Sequence, residues 1–228
     1  MKTDLFDYDL PDKAIATHPI MPRELARLMC VAGHTLSHHQ LGDLPTLLRA
    51  GDLIIFNDSR VIPARLLAVR ERELTDHTLS TVQTKIDLTL HKPVTLRDGD
   101  EYPTPSQGLA AQNQATSDVN SCILKRIADM PETWRVFARP GKKLRPGDVL
   151  RFADDFYALL HTKLDNGEII LRFNHSGDKL RSKLHQFGTM PLPPYIRRSA
   201  TQQDSEQYQT IFAKSEGSVA APTAGLHI

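Results

Sequence analysis

Cysteine is scarce: Cys30 and Cys122 are the only two among 228 residues. They stand far apart without CxxC spacing, which excludes a disulfide framework or a zinc ribbon and leaves two reduced thiols as the expectation. Long apolar runs are missing. Nothing approaches the roughly 20 residues of a bilayer-spanning helix, and the opening MKTDLFDYDLP has neither the basic start nor the apolar stretch of a secretory signal. A cytoplasmic chain without a membrane partner is therefore expected. Charge of one sign is not in excess either, since 28 Lys and Arg meet 27 Asp and Glu for a formal net charge of +1. A polyanionic partner must then be argued from a local patch. The ten histidines lack metal-ligand spacing, so no metal is expected. No GxGxx-type glycine loop follows a strand and opens a helix, which counts against an ordinary methyltransferase. What is present, 40% hydrophobic and 24% charged residues, is a globular composition with room for one large or two small domains.

Along the chain, Asp43 is placed to cap a short helix over Leu44 to Arg49 that Gly51 can end, and Leu53-Ile54-Ile55-Phe56 has the form of a compact apolar strand. From about Val61 to Asn174 the pattern changes to short β-like segments: Ile62 to Val69, Ile86 to Leu90, Trp134 to Ala138 and Val149 to Phe152. The clearest hairpin joins Tyr157–Lys163 to Glu168–Phe173 through Asp165-Asn166-Gly167, because Asn-Gly tolerates the positive φ of a tight turn. Strands this short suggest a small barrel or sandwich. The polar stretch Asp98 to Asn120 reads as a long exposed loop. After it, Ser176 can cap a helix with Leu180, Leu184 and Phe187 on one face and Gly188 at its end, and a second helix is expected over Ser205 to Ser215 with Asp204 as cap and Tyr208, Ile211 and Phe212 as its stripe. The order is α/β, then β, then α/β, a β-domain inserted into an α/β domain.

Four constellations carry chemical potential. Asn57-Asp58-Ser59-Arg60, with Arg65 beyond it, offers an amide, a carboxylate and two forked cations, either for a ligand or as an Asx turn locked on itself. Arg135 to Arg151 sets six cations against one acid, Asp148, with Trp134 and Phe137 interleaved, either a phosphate-tracking surface or a solvated basic hairpin. Gly188 to Arg198 holds three prolines before Tyr195 and Arg197, a rigid linker or one wall of a preorganised pocket. Gly217 to His227 is a run of small residues in which Ser218 and Thr223 offer hydroxyls, Gly225 permits close approach, and His227 can serve as acid or base.

Taken together, the segments resemble the S-adenosylmethionine:tRNA ribosyltransferase-isomerase family of queuosine biosynthesis. The resemblance runs through Asp4 to Pro11 with Ile15-Ala16, Gly51 to Arg65, Trp134, Arg139-Pro140-Gly141-Lys142-Lys143-Leu144, Met190 to Ile196, Tyr208-Gln209-Thr210 and Gly217 to His227. It implies an α/β plus β fold, an α/β domain in two parts (1–66 and 176–228) interrupted by an antiparallel β-barrel (67–175). It also implies transfer and isomerisation of the ribosyl part of S-adenosylmethionine, a co-substrate, onto a 7-aminomethyl-7-deazaguanine wobble base of tRNA, with adenine and methionine released. A monomer is expected. Family members continue past His227-Ile228 for about a further third of their length, so the chain looks C-terminally shortened, and a non-catalytic tRNA-binding remnant stands as the alternative. On this resemblance His227 or Asp58 is assigned to proton transfer and Asp204 with Tyr208 to orientation. Arg60 and Arg197 are assigned to carboxylate or phosphate contacts. Asn57, Arg65, Tyr195, Gln209, Ser218, Thr223 and Gly225 fall to substrate binding, and Arg139, Lys142 and Lys143 to tRNA.

Overall fold

A computed structural model describes residues 2–73, 81–94 and 132–228. The loop expected over Asp98 to Asn120, and Cys122, lie outside these residues. The chain divides into two compact units, one of Met1–Val61 with Leu192–Ile228 and the other of Ile62–Pro191. These divisions fall at 61/62 and 191/192, where the sequence suggested 66/67 and 175/176.

The second unit is a closed barrel. Its strands are β4 (Arg65–Glu73), β5 (Thr81–Val94), β6 (Thr133–Arg139), β7 (Val149–Ala153), β8 (Phe156–Lys163) and β9 (Ile169–Phe173). They close in the order β4-β5-β6-β9-β8-β7, and every pair is antiparallel. Alternation explains the closure, because period-2 side chains put Leu66, Ile86, Leu88, Val136, Leu160 and Leu171 on the inner surface, all buried. The β8–β9 hairpin forms as expected. Gly167 takes φ +85° in its turn, and Asn166 receives the Glu168 N–H at 3.1 Å.

Helix α2 (Gly177–Phe187) belongs to the barrel unit and buries Leu180 and Leu184. Ser176 occupies the cap position but makes no side-chain cap bond. Glu132, just before β6, supplies the acceptor instead, its Oε2 receiving the Gly177 N–H at 2.6 Å. Gly188 ends the helix, and a Cβ there would stand 2.1 Å from the Pro63 carbonyl oxygen.

The first unit holds the hairpin β1 (Arg27–Ala32) and β2 (Thr35–Gln40), the short helix α1 (Leu44–Leu47), and a parallel pair formed by β3 (Ser59–Val61) and β10 (Ser215–Ser218). Two expectations fail here. Leu53-Ile54-Ile55-Phe56 is not a strand, and Leu53 and Ile55 are each 85% exposed. A strand exists through ladder hydrogen bonds, and no described segment pairs with this run. The helix expected over Ser205 to Ser215 is the single turn α3 (Asp204–Gln207). Beyond it the Asp58 carbonyl accepts the Lys214 and Ser215 N–H groups at 2.7 and 3.3 Å, and the chain is drawn into pairing with β3. Ile211 is consequently exposed, while Phe212 stacks on Phe56 at 4.2 Å between centroids.

Candidate functional site

In the first unit the site is assembled around the parallel pair. Its register sets Ser59 beside Ser215, Arg60 beside Glu216 and Val61 beside Ser218. Asn57 and Asp58 therefore enter at one end of the pair, and the small-residue run leaves from the other, the carboxyl end at which open α/β sheets present ligand loops. Asn57 Oδ1 accepts the Ser59 N–H and hydroxyl at 2.8 and 2.5 Å. That is an Asx turn, and it contains no Asp58–Arg60 ion pair. The Asp58 carboxylate and the Arg60 guanidinium are exposed, and among the described residues the carboxylate has no hydrogen-bond partner.

Buried neighbours tie the loops together. Gln209 grips the backbone of Val61, its Oε1 accepting the Val61 N–H and its Nε2 donating to the Val61 carbonyl, both at 2.8 Å. Its amide is thus occupied by β3. Thr210 is buried, donates to the Asn57 carbonyl at 3.4 Å, and lies so close to Gly225 that a Cβ there would stand 3.0 Å from its Cγ2. Through Thr210 the Asn57 loop and the Gly217–His227 run meet. Ser218 turns on itself, donating to the Ala220 carbonyl at 2.6 Å. Tyr208 is buried, its phenol pushed up by burial, with the Ala221 N–H facing its oxygen. Thr223 and His227 lie on a terminal 3-10 turn with their side chains exposed.

Asp204 has a different character. It is 2% exposed and accepts Arg198 Nη1 and Nη2 at 2.7 and 2.6 Å, the Thr201 N–H at 2.6 Å and the Thr201 hydroxyl at 3.0 Å. The Arg198 fork first, then Thr201, hold its carboxyl down at about 2 against the desolvation that opposes them. It carries no proton at neutral pH, and its lone pairs are committed to shaping the 198–204 segment. Arg197, the neighbour, points elsewhere and donates to Asp12 at 2.8 Å with both side chains exposed. Those two residues with Ile15, Thr17 and Tyr195 line an open hollow.

In the barrel unit Arg65 forks onto Asp87, with Nε and Nη2 donating at 2.9 and 2.5 Å. Asp87 raises the guanidinium pKa further, and the residue belongs to the barrel wall. Arg139, at the end of β6, and Lys142 and Lys143, on the β6–β7 connection, are exposed. That loop is pinned from behind. Arg70, 5% exposed, donates to the Lys143 carbonyl at 2.7 Å and stands 3.6 Å from Asp148, while Lys163 donates to the Gly141 carbonyl at 2.9 Å and Leu144 is buried. The backbone is fixed and the cations are exposed.

Across residues 3–228 the sequence matches the family described as queuosine biosynthesis protein. The chain belongs to the queuosine biosynthesis protein family. It is 39% identical over 227 residues to the S-adenosylmethionine:tRNA ribosyltransferase-isomerase of Rhodospirillum rubrum, covering all of this chain and 52% of that protein. It is also 39% identical over 240 residues to the protein of the same name from Methylobacterium sp. strain 4-46, covering 55% of it. The chain spans about half the length of the curated relatives it matches. Among solved structures, the S-adenosylmethionine tRNA ribosyltransferase of Thermotoga maritima is 26% identical, with 84% of this chain and 52% of that one covered at a TM-score of 0.30.

Within this queuosine-family chain, three site-shaping residues escaped sequence reasoning. Arg198 stood beside the favoured Arg197 with nothing local to distinguish them. Arg23 donates to the Gln209, Gln207 and Ile228 carbonyls at 2.9, 3.4 and 3.5 Å, clamping the turn after α3 to the last residue. Carbonyl partners leave no compositional trace. Arg70 was one charge in an alternating strand, and only a closed barrel makes it an inward one. Among the described residues no group of three or more His, Cys, Asp or Glu is placed to hold a metal ion, and no helix is long and apolar enough to cross a membrane.

Proposed function

We propose that this chain contributes the site at which the ribosyl moiety of S-adenosylmethionine is transferred to the 7-aminomethyl-7-deazaguanine wobble base of tRNA and isomerised to epoxyqueuosine, releasing adenine and methionine. The observation that carries the reading is the family match across residues 3–228, joined to relatives bearing that activity in their names. The chain acts in the cytoplasm, as a monomer, on S-adenosylmethionine and tRNA.

The sulfonium of the co-substrate acidifies the adjacent C5′ position, so a general base there opens the ring and expels adenine. The aminomethyl nitrogen then attacks, and epoxide closure expels methionine. Asp58 or His227 takes the proton. Both side chains are exposed and without hydrogen-bond partners among the described residues, which leaves them available to substrate. Arg60 receives the methionine carboxylate. Tyr208 and Asp204 position the loops that carry these groups. The Tyr195 and Arg197 hollow accepts part of the co-substrate, while Ser218, Thr223 and Gly225 present hydroxyls and backbone to it. Arg139, Lys142 and Lys143 receive the tRNA backbone.

The test is incubation with S-adenosylmethionine and tRNA carrying the 7-aminomethyl-7-deazaguanine base, measuring adenine release and the mass of the modified nucleoside. Epoxide-bearing product establishes the reading. No turnover by a folded chain, beside an active relative such as that of Rhodospirillum rubrum, rejects it in favour of a tRNA-binding remnant. Asp58→Asn and His227→Asn, assayed singly, separate the two candidate bases by a loss of about 10²- to 10⁴-fold in the one that moves the proton.

A further inference from the structure

The outer face of the barrel across β4, β5 and β6 contains an aromatic ring that packing does not explain. Register places Arg65, Thr89 and Phe137 in one outward row and Leu67, Asp87 and Arg139 in the next. Phe137 is 48% exposed, although β6 buries Trp134 and Val136 on its other face. The ring contact described for it is with His91, centroids 5.4 Å apart and planes inclined at 31°. His91 is itself held in place by Glu168, which Asn166 also contacts at 2.6 Å and Arg135 approaches to 3.7 Å.

Cations flank the ring along β5 and β6. Two carboxylates near the ring are engaged, Asp87 in the Arg65 fork and Glu168 buried beneath His91 and Asn166, whose hydrogen bonds, with the nearby Arg135 charge, hold it below the usual carboxylate range. Lys85, Lys92 and Arg139 remain exposed on the same three strands. Arg139 is two residues along β6 from Phe137, about 7 Å at strand rise, and Lys142 and Lys143 follow on the pinned loop. An exposed ring on a barrel strand with cations along one side is the pattern by which barrels bind unpaired nucleotides: the ring stacks a base and the cations take the adjoining phosphates.

We propose that Phe137 is a stacking platform for an unpaired RNA base, with Arg139, Lys142 and Lys143 holding the phosphates beside it. This deepens the tRNA reading above and rests on it: the partner is the looped part of the RNA, and the paired stem contributes only backbone charge.

The experiment measures binding of the chain to a stem-loop RNA with a seven-nucleotide loop and to a fully paired RNA of equal length, by fluorescence anisotropy at two salt concentrations. A 2-aminopurine in the loop reports stacking. Phe137→Ala is expected to weaken loop binding about tenfold and abolish the 2-aminopurine quench, with duplex affinity and salt dependence unchanged. Phe137→Trp retains both loop affinity and quench. An Arg139→Gln, Lys142→Gln, Lys143→Gln variant weakens loop and duplex alike and flattens the salt dependence. Because the ring is half exposed its removal spares the core, and circular dichroism of each variant verifies folding. Unchanged loop binding by Phe137→Ala, equal losses on loop and duplex, or no RNA binding by the parent chain overturns the proposal. Loop binding that depends on Phe137, in a chain that releases no adenine, leaves the stacking site standing and rejects the catalytic reading alone.

Discussion

Gln209 serves Val61 as a neighbouring strand would, offering one acceptor and one donor at 2.8 Å to the two backbone groups of a single residue. A side-chain amide is the one ordinary group that reproduces this pair of peptide contacts. Gln209→Ala leaves a buried N–H and C=O unpaired and is expected to cost about 1–3 kcal/mol per group. Gln209→Glu keeps the acceptor but sets a carboxylate against the Val61 carbonyl, so it is expected to fall with the alanine variant. Equilibrium urea unfolding of the three proteins measures it, and parental stability in Gln209→Glu would deny the donor half of the contact.

The Arg198–Asp204 pair predicts an acid limb of stability. The folded carboxyl sits at about 2 against an ordinary 3.8, so its contribution is complete above about pH 4 and is lost as pH falls towards 2. Asp204→Asn should flatten that limb. Arg198→Met leaves a buried carboxylate without its fork, expected to cost about 3–5 kcal/mol at pH 7, and its loss should shrink on acidification as Asp204 takes up a proton. Thermal melts between pH 2 and 7 read both slopes.

Arg70 holds the β6–β7 loop from inside the barrel through the Lys143 carbonyl. Arg70→Met fills similar space without the donor. Faster amide hydrogen exchange across residues 141–148 is expected, together with weaker RNA binding although no exposed cation has been removed. Exchange rates equal to the parent's would show that Lys163 and buried Leu144 suffice.

Gly188 is expected to tolerate no side chain. An added Cβ meets the Pro63 carbonyl at 2.1 Å and the Leu184 carbonyl at 2.5 Å, both backbone atoms that cannot swing away. Gly188→Ala should lower the melting temperature steeply, more than a surface control such as Gly33→Ala, where nothing stands within 4 Å and only the φ of +60° is strained.

The barrel was legible because its strands alternate, and a buried alternating strand writes its inner face into the sequence: Ile86-Leu88-Leu90 and Trp134-Val136 needed no tertiary knowledge. Asn166-Gly167 similarly announced its own turn. The first unit was poorly legible for the opposite reason. Arg27–Ala32 and Thr35–Gln40 expose Met29, Val31 and Leu36, so no period separates inside from outside. Leu53 to Phe56 has strand composition without strand partners. In the site, local groups such as the Asx turn at Asn57 were readable, whereas every long-range choice was not. Nothing near Ser176 reveals that Glu132 caps its helix, and nothing near Arg197 reveals that Arg198 takes the buried carboxylate.

The two units differ in what they leave unpaired. A closed barrel has no free edge and so offers other chains nothing to join. Among the described residues the first unit carries a parallel pair two strands wide, preceded in the chain by an apolar run, Leu53 to Phe56, with its backbone outside any ladder. In concentrated solution such a segment acts as a template for intermolecular pairing. Aggregation of this chain should therefore start at residues 53–56, and Ile55→Lys should raise its solubility without touching the barrel.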